Sequence, residues 1–258
     1  MRLFFVGGWL SYRALFGWLS PWILVPTFIV APLFQILLFA YVGRSAGVGS
    51  DEYFLLGNAV VTAAVPALFA TGNTIEGERW SQTLGLLLAS PARRVPLFLG
   101  RAFPIILNGL VVACVALVTG ALVLRVSLPV SSLLPLGVVI AVSAYSVTGI
   151  GLVTAALALR VRETAVLSNI VLGILLVFCG VNVPLPVLPG WMAAVAGWLP
   201  LTHGIEAARG VAAGAALSDV TSATLTELLI GTLYILLGLV MLAYFEVESR
   251  RSASLERA

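Results

Sequence analysis

The one histidine of this 258-residue chain, His203, lies in the stretch Leu199-Pro-Leu-Thr-His-Gly-Ile-Glu-Ala-Ala-Arg-Gly210. Glu206 and Arg209 follow it at helical spacing, so the three side chains share one face. Glu206 and Arg209 also have the i, i+3 spacing of a local ion pair, worth roughly 0.2–0.5 kcal/mol. Catalysis by His203 would need acids, further histidines or an activated nucleophile at the same depth, and a single histidine makes no such cluster. Zinc chemistry is no better served. Cys114 and Cys179 each sit inside an apolar run without metal-ligand spacing, which marks them as packing residues. Weaker polar chemistry remains. Asn58, Asn108, Asn169 and Asn182 interrupt apolar runs, where amides hydrogen-bond neighbouring helices. Any that faced a pathway, with Phe178 as an apolar wall, would offer a cargo adaptable contacts. Glu227, about one turn inside the outer end of the last apolar run, is the only acid near lipid depth.

All 14 basic residues are arginine. A Walker-type phosphate loop needs a lysine, so this chain carries no conventional ATPase of its own. The net charge of +3 does not point to nucleic acid, because the arginines are scattered between apolar runs.

The elements that must position these groups are membrane helices. Hydrophobic residues make up 60% of the chain and charged ones 10%, where soluble proteins average about 25% charged. Uncharged stretches place spans within 14–43 (Pro21 to Gly43), 53–75, 102–124 and 126–159, whose first ten residues, with Pro129 and Pro135, read as a loop. The last span runs over 228–245, starting near Thr224. The 42 residues from 164 to 205 are too many for one span of ~20 residues and too few for two with a loop. The cluster Pro184, Pro186, Pro189, Gly190 and Pro200 splits them into a fifth span and a re-entrant pair of half-helices over 185–215. The fold class is therefore an all-α integral membrane protein with six transmembrane helices, one domain over 1–258.

Residues 1–20, with Arg2, Arg13 and headgroup-seeking Trp9, Tyr12 and Trp18, predict an interfacial helix. With the N-terminus inside, Arg2, Arg13, Arg79, Arg93, Arg94, Arg101, Arg160, Arg162, Arg250, Arg251 and Arg257 face the cytoplasm. Only Arg44, Arg125 and Arg209 fall outside. This positive-inside asymmetry holds for six spans and puts both termini in the cytoplasm. Arg160-Val-Arg-Glu163 is a short inner turn whose arginines snorkel to anchor helix ends, or which adds a second contact with a soluble partner.

Between the second and third spans lies the longest polar stretch, Asn73 to Arg94. A helix from about Glu76 to Ala89 puts Trp80, Leu84, Leu87 and Leu88 on one face, with Glu78, Arg79 and Gln82 opposite. Ser90-Pro91 ends it. The order Glu76-Gly-Glu78-Arg79, then Thr83-Leu84, then Leu87-Leu88-Ala-Ser90-Pro91, then a basic pair and Leu99-Gly-Arg101 resembles the coupling segment of type-2 ATP-binding cassette permeases. Gln82 and Gly85 depart from it, standing where that family has Gly and Glu. The 199–210 stretch and the tail Tyr244-Phe-Glu-Val-Glu-Ser-Arg-Arg251 are also similar.

The resemblance implies a permease subunit of an exporter in a bacterial plasma membrane, with no cofactor of its own. ATP and Mg would be bound by two separate ATPase subunits gripping the 76–90 coupling helix. A second permease would complete a homodimer or heterodimer, and His203, Glu206 and Arg209 would belong to an extracellular gate. The lack of an extended aromatic lining favours a lipophilic small molecule or lipid over a lipid-linked glycan. Competing classes are an ion-coupled transporter or channel and an intramembrane enzyme. The first needs an ionisable group in mid-membrane, which only Glu227 could supply.

Overall fold

The computed structural model describes residues 22, 25–83, 94–161 and 163–252. The interfacial helix expected over 1–20 lies outside the described residues. So does the second part of the expected coupling helix, with Leu84, Leu87, Leu88, Ser90 and Pro91.

All regular structure among the described residues is helical. A π-helical turn, Pro26–Val30, leads into α1 (Ala31–Ala46), followed by α2 (Asp51–Gly72), α3 (Thr74–Trp80), α4 (Arg94–Leu124) and α5 (Val130–Leu157). Then come α6 (Thr164–Phe178), a 3-10 turn (Leu185–Val187), α7 (Gly190–Ala196), α8 (Thr202–Ala212) and α9 (Leu217–Ser252). Five helical stretches are long and apolar enough to cross a membrane: Pro26–Ala46, Asp51–Gly72, Phe103–Leu124, Val130–Leu157 and Ser218–Glu248.

The expectation of six differs at α6. Its 15 residues reach about 22 Å at 1.5 Å per residue, short of a hydrocarbon core of about 30 Å. The helix ends where Gly180 turns left-handed at φ 72° and prolines crowd the following residues. Two boundaries also move. Residues 130–135, expected as loop, form the start of α5, with Pro129 at its N-cap and Pro135 inside the second turn. One lost backbone bond is tolerated there because packed neighbours re-satisfy freed groups. The last helix begins at Leu217, not near Thr224, which sets Glu227 about 15 Å inside it instead of one turn.

The bundle is organised around α2. Ser50 caps it by accepting from Tyr53 N at 3.2 Å, and Asp51 and Glu52 in the first turn complement the helix dipole. Asp51 also pairs with Arg44, closing the α1–α2 turn. In the apolar window of α2, 78% of residues are buried, against 22% for the first span and 28% for the last. The outer helices thus keep broad apolar faces for lipid or another subunit.

Close helix approach relies on small residues, since lipid supplies no hydrophobic drive between helices. A Cβ on Gly109 of α4 would fall 2.3 Å from the Ala63 carbonyl of α2, and one on Gly231 of α9 would fall 2.5 Å from Ser146 Cα of α5. A Cβ on Gly173 of α6 would meet nothing within 4 Å. Gly231→Val should therefore cost about 1–3 kcal/mol by overpacking. The expected outcome is a lower melting temperature for the detergent-purified protein, with Gly173→Val close to wild type.

Candidate functional site

Two regions collect the polar residues singled out by sequence. The first is α3. Asn73 interrupts the helix only mildly, at φ −82° and ψ 4°. The i→i−4 pattern runs straight across it: Asn73 N donates to Phe69 O at 2.8 Å and Gly77 N to Asn73 O at 2.9 Å. α3 is thus a bent prolongation of the most buried helix.

A single helix from Glu76 to Ala89 is expected from the sequence; α3 stops at Trp80, and residues 84–89 lie outside the described ones. Gln82 takes the left-handed region, φ 56°, and Thr83 N reaches back to Glu78 O at 2.9 Å, the six-to-one bond of a Schellman stop. Thr83 Oγ1 also bonds the Glu78 carboxylate. Trp80 stands 82% exposed at the tip. Glu76 turns one oxygen inward, buried without a hydrogen-bond partner.

The second region is a break in the backbone between α6 and α8, met by side chains from all sides. Asn58, fully buried on α2, accepts from Gln35 Nε2 of α1 at 3.1 Å. Its own amide donates to Asn182 Oδ1 at 3.0 Å and to Phe54 O at 2.9 Å. The structure so joins Asn58 to Asn182. It leaves out Asn108 on α4 and Asn169, which is exposed and donates to Ala165 O of its own helix at 2.8 Å. Phe178 packs edge-to-face on Trp191, ring centroids 6.0 Å apart. Gln35 was missed by sequence reasoning. The signal was there, a lone amide in the apolar run of the first span.

Arg209 corrects an expectation. It does not pair with Glu206 but turns into the bundle. Its guanidinium lies 3.4 Å from the centroid of the Tyr53 ring and donates to Tyr53 O at 3.2 Å and Val181 O at 3.0 Å. Burial pulls its pKa below the ordinary arginine value, and Tyr53 partly offsets this. Tyr53 OH in turn donates to Gly180 O at 2.7 Å. Glu206 is exposed and lies 3.8 Å from His203 Nδ1, while His203 Nε2 meets Gly197 O at 3.1 Å.

The opposite end of α8 is held by Glu227 of α9, whose carboxylate takes Leu201 N at 2.8 Å and Gly204 N at 3.1 Å. Seven residues of α8 are buried, so it is packed into the bundle and not laid on its surface.

In the Arg160 turn one arginine makes a defined contact within the bundle. Arg160 pairs with Glu248 and lies 5.2 Å from the Phe245 ring centroid, closing α5 onto the end of α9. The hydrogen bond to Glu248 raises the Arg160 pKa above its ordinary value. Gly43-Arg44-Ser45-Ala46-Gly47 has Gly-x-Ser-x-Gly spacing, but it ends a helix and is no strand-to-helix elbow. Ser45 Oγ donates to Val42 O at 2.8 Å. Among the described residues, no group of three or more His, Cys, Asp or Glu side chains could hold a metal ion.

A polytopic helical bundle with a polar extension of its central helix and a broken, re-stitched segment is the frame of a membrane permease. A model described as ABC-2 type transporter matches residues 9–212, and the chain belongs to that family. It is thus a transport subunit, the membrane domain of an ABC transporter. No curated protein matches it in sequence.

Two outcomes are expected. Gln82→Gly relieves a left-handed non-glycine residue, worth roughly 1 kcal/mol, and should slow hydrogen exchange across α3. Asn58→Leu leaves the amides of Gln35 and Asn182 short of a partner at a cost of about 1–3 kcal/mol. Thermal unfolding should show Asn58→Leu combined with Asn182→Leu costing less than the sum of the single changes.

Proposed function

We propose that this chain is the permease half of an outward-directed pump, driven by a pair of separate ATPase subunits and completed by a second permease, identical or sister. The observation that carries this reading is the pair of i→i−4 bonds at Asn73, from Asn73 N to Phe69 O and from Gly77 N to Asn73 O, which tie α3 to α2. A force applied at the exposed Trp80 reaches the most buried helix of the bundle without crossing a flexible link. The docking surface comprises Glu76, Glu78, Arg79, Trp80, Gln82 and Thr83, with Leu84, Leu87, Leu88, Ser90 and Pro91 assigned to it by the sequence resemblance alone.

In this reading α6 together with the non-helical residues that follow it up to Pro184 makes the fifth of six crossings, and residues 185–215 form the re-entrant outer segment. Both termini and α3 face the cytoplasm of a bacterial cell. α8, with His203, Glu206 and Arg209, closes the pathway from outside. ATP and Mg belong to the partner chain. Closure of the ATPases would tilt the first, second and fifth spans, and the outward-open state would hold cargo less tightly than the inward one. A lipophilic cargo is favoured by the lining of a cleft of about 260 Å³ between α5, α8 and α9, where Leu134, Val138, Val211, Val220 and Leu225 leave almost no polar surface.

Trp80→Ala, which removes a large exposed aromatic of the kind that anchors interfaces, should weaken copurification of the ATPase at least about tenfold. Glu78→Ala should act in the same direction. A complex of wild-type affinity in both variants would refute the docking role of α3.

A further inference from the structure

We propose that Glu227 is a positioning residue for transport: its buried carboxylate caps the N-terminus of α8 from another helix and holds α8 inside the bundle. The consequence for transport rests on the reading of α8 as the outer closure, while the capping itself stands on geometry alone. Glu227 is fully buried, and each of its carboxylate oxygens accepts from a different backbone amide, Leu201 N at 2.8 Å and Gly204 N at 3.1 Å. Both donors belong to the first turn of α8, whose N–H groups have no partner within their own helix.

Local sequence offers α8 no cap. Leu201 stands at its N-cap without a side-chain oxygen, and the Thr202 hydroxyl donates to Ala196 O at 2.7 Å. The capping carboxyl therefore comes from α9, at the end of α8 that carries the positive partial charge of the helix dipole.

Three further features fit this arrangement. Leu201 adopts φ 82°, a conformation that a bulky side chain takes only when its surroundings impose it. Gly204 lets the turn approach: a Cβ there would fall 2.0 Å from Ser143 Oγ and 3.5 Å from Glu227 Cδ. Ser146 Oγ of α5 donates to the Glu227 backbone carbonyl at 3.2 Å, fixing α9 at the same level. Two N–H donors on two different oxygens call for a carboxyl group, since a carboxamide replaces one of those oxygens with an N–H2 donor. Glu227 thus acts on transport through the seating of α8.

The chain contains its own reporter. Cys179 is 1% exposed, and its thiol donates to Pro200 O at 3.2 Å, one residue before the cap. On a Cys114→Ala background, in the permease–ATPase complex in proteoliposomes, the rate of Cys179 modification by N-ethylmaleimide reports whether the start of α8 stays seated. Glu227→Gln keeps the volume and loses one acceptor, and Glu227→Ala loses both. Both are expected to label at least about tenfold faster while the complex elutes intact. Gly204→Ala, which presses α8 away from Ser143, is expected to do the same. Wild-type labelling in both Glu227 variants would overturn the proposal. So would a Glu227→Gln chain that fails to assemble, since Glu227 would then be a folding residue. Extrusion of a lipophilic fluorescent dye, measured alongside ATP hydrolysis, separates the two readings. Faster labelling with hydrolysis continuing and extrusion lost supports the cap and the gate together. Faster labelling with extrusion unchanged keeps the cap and removes α8 from the gate.

Discussion

Backbone that leaves a helix inside a lipid-bathed bundle must find partners for its exposed N–H and C=O groups, because hydrocarbon offers none. In this protein that constraint falls on residues 179–204. Side chains meet it one group at a time. Tyr53 takes Gly180 O, Arg209 takes Val181 O, Thr202 takes Ala196 O, His203 takes Gly197 O and Cys179 takes Pro200 O. Glu227 takes the two amides of Leu201 and Gly204. These backbone groups of the broken segment are therefore bonded by side chains, and apart from Cys179 the partners lie on α2, α8 and α9. The segment's conformation depends on how those helices stand relative to one another, which a continuous helix would not.

Burial is uneven for a related reason. α2 and α5 are enclosed, whereas the first span and α9 turn most of their apolar surface outward. Contacts among the inner helices are close because glycines face backbone, as Gly109 faces Ala63 and Gly231 faces Ser146. Such contacts hold position by shape, with little chemical bonding to break. The amide seam of Gln35, Asn58 and Asn182 supplies what shape alone lacks, a directional tie from α1 through α2 to the broken segment.

Most of this architecture was legible because its signal is long and additive. Runs of some twenty apolar residues announced α1, α2, α4 and α5, and the proline cluster after Ala165 announced an interruption. What escaped depended on three-dimensional context. Pro135 read as a loop residue because proline opposes helices in water, yet packed neighbours let it stay within α5. Glu206 and Arg209 had the spacing of a pair, but the carbonyls of Tyr53 and Val181 and the Tyr53 ring compete for the guanidinium, and no periodicity reveals them. The stop at Gln82 was equally hidden, since a left-handed glutamine has no propensity signature. Glu227 was conspicuous as a lone acid, but the amides it serves are 23 and 26 residues away in the chain.

The mild bend at Asn73 has a consequence for communication through the protein. From Asp51 to Trp80 the chain is a near-continuous rod of about 45 Å, longer than the roughly 30 Å hydrocarbon layer it would traverse. One end lies beside the Arg209 cation, the other at a bare indole. Thermodynamic reciprocity then runs along it in both directions. Whatever grips the Tyr53 end and prefers one tilt of the rod changes affinity at the Trp80 end by the same factor. A ligand confined to one side of the layer would in this way bias what binds on the other.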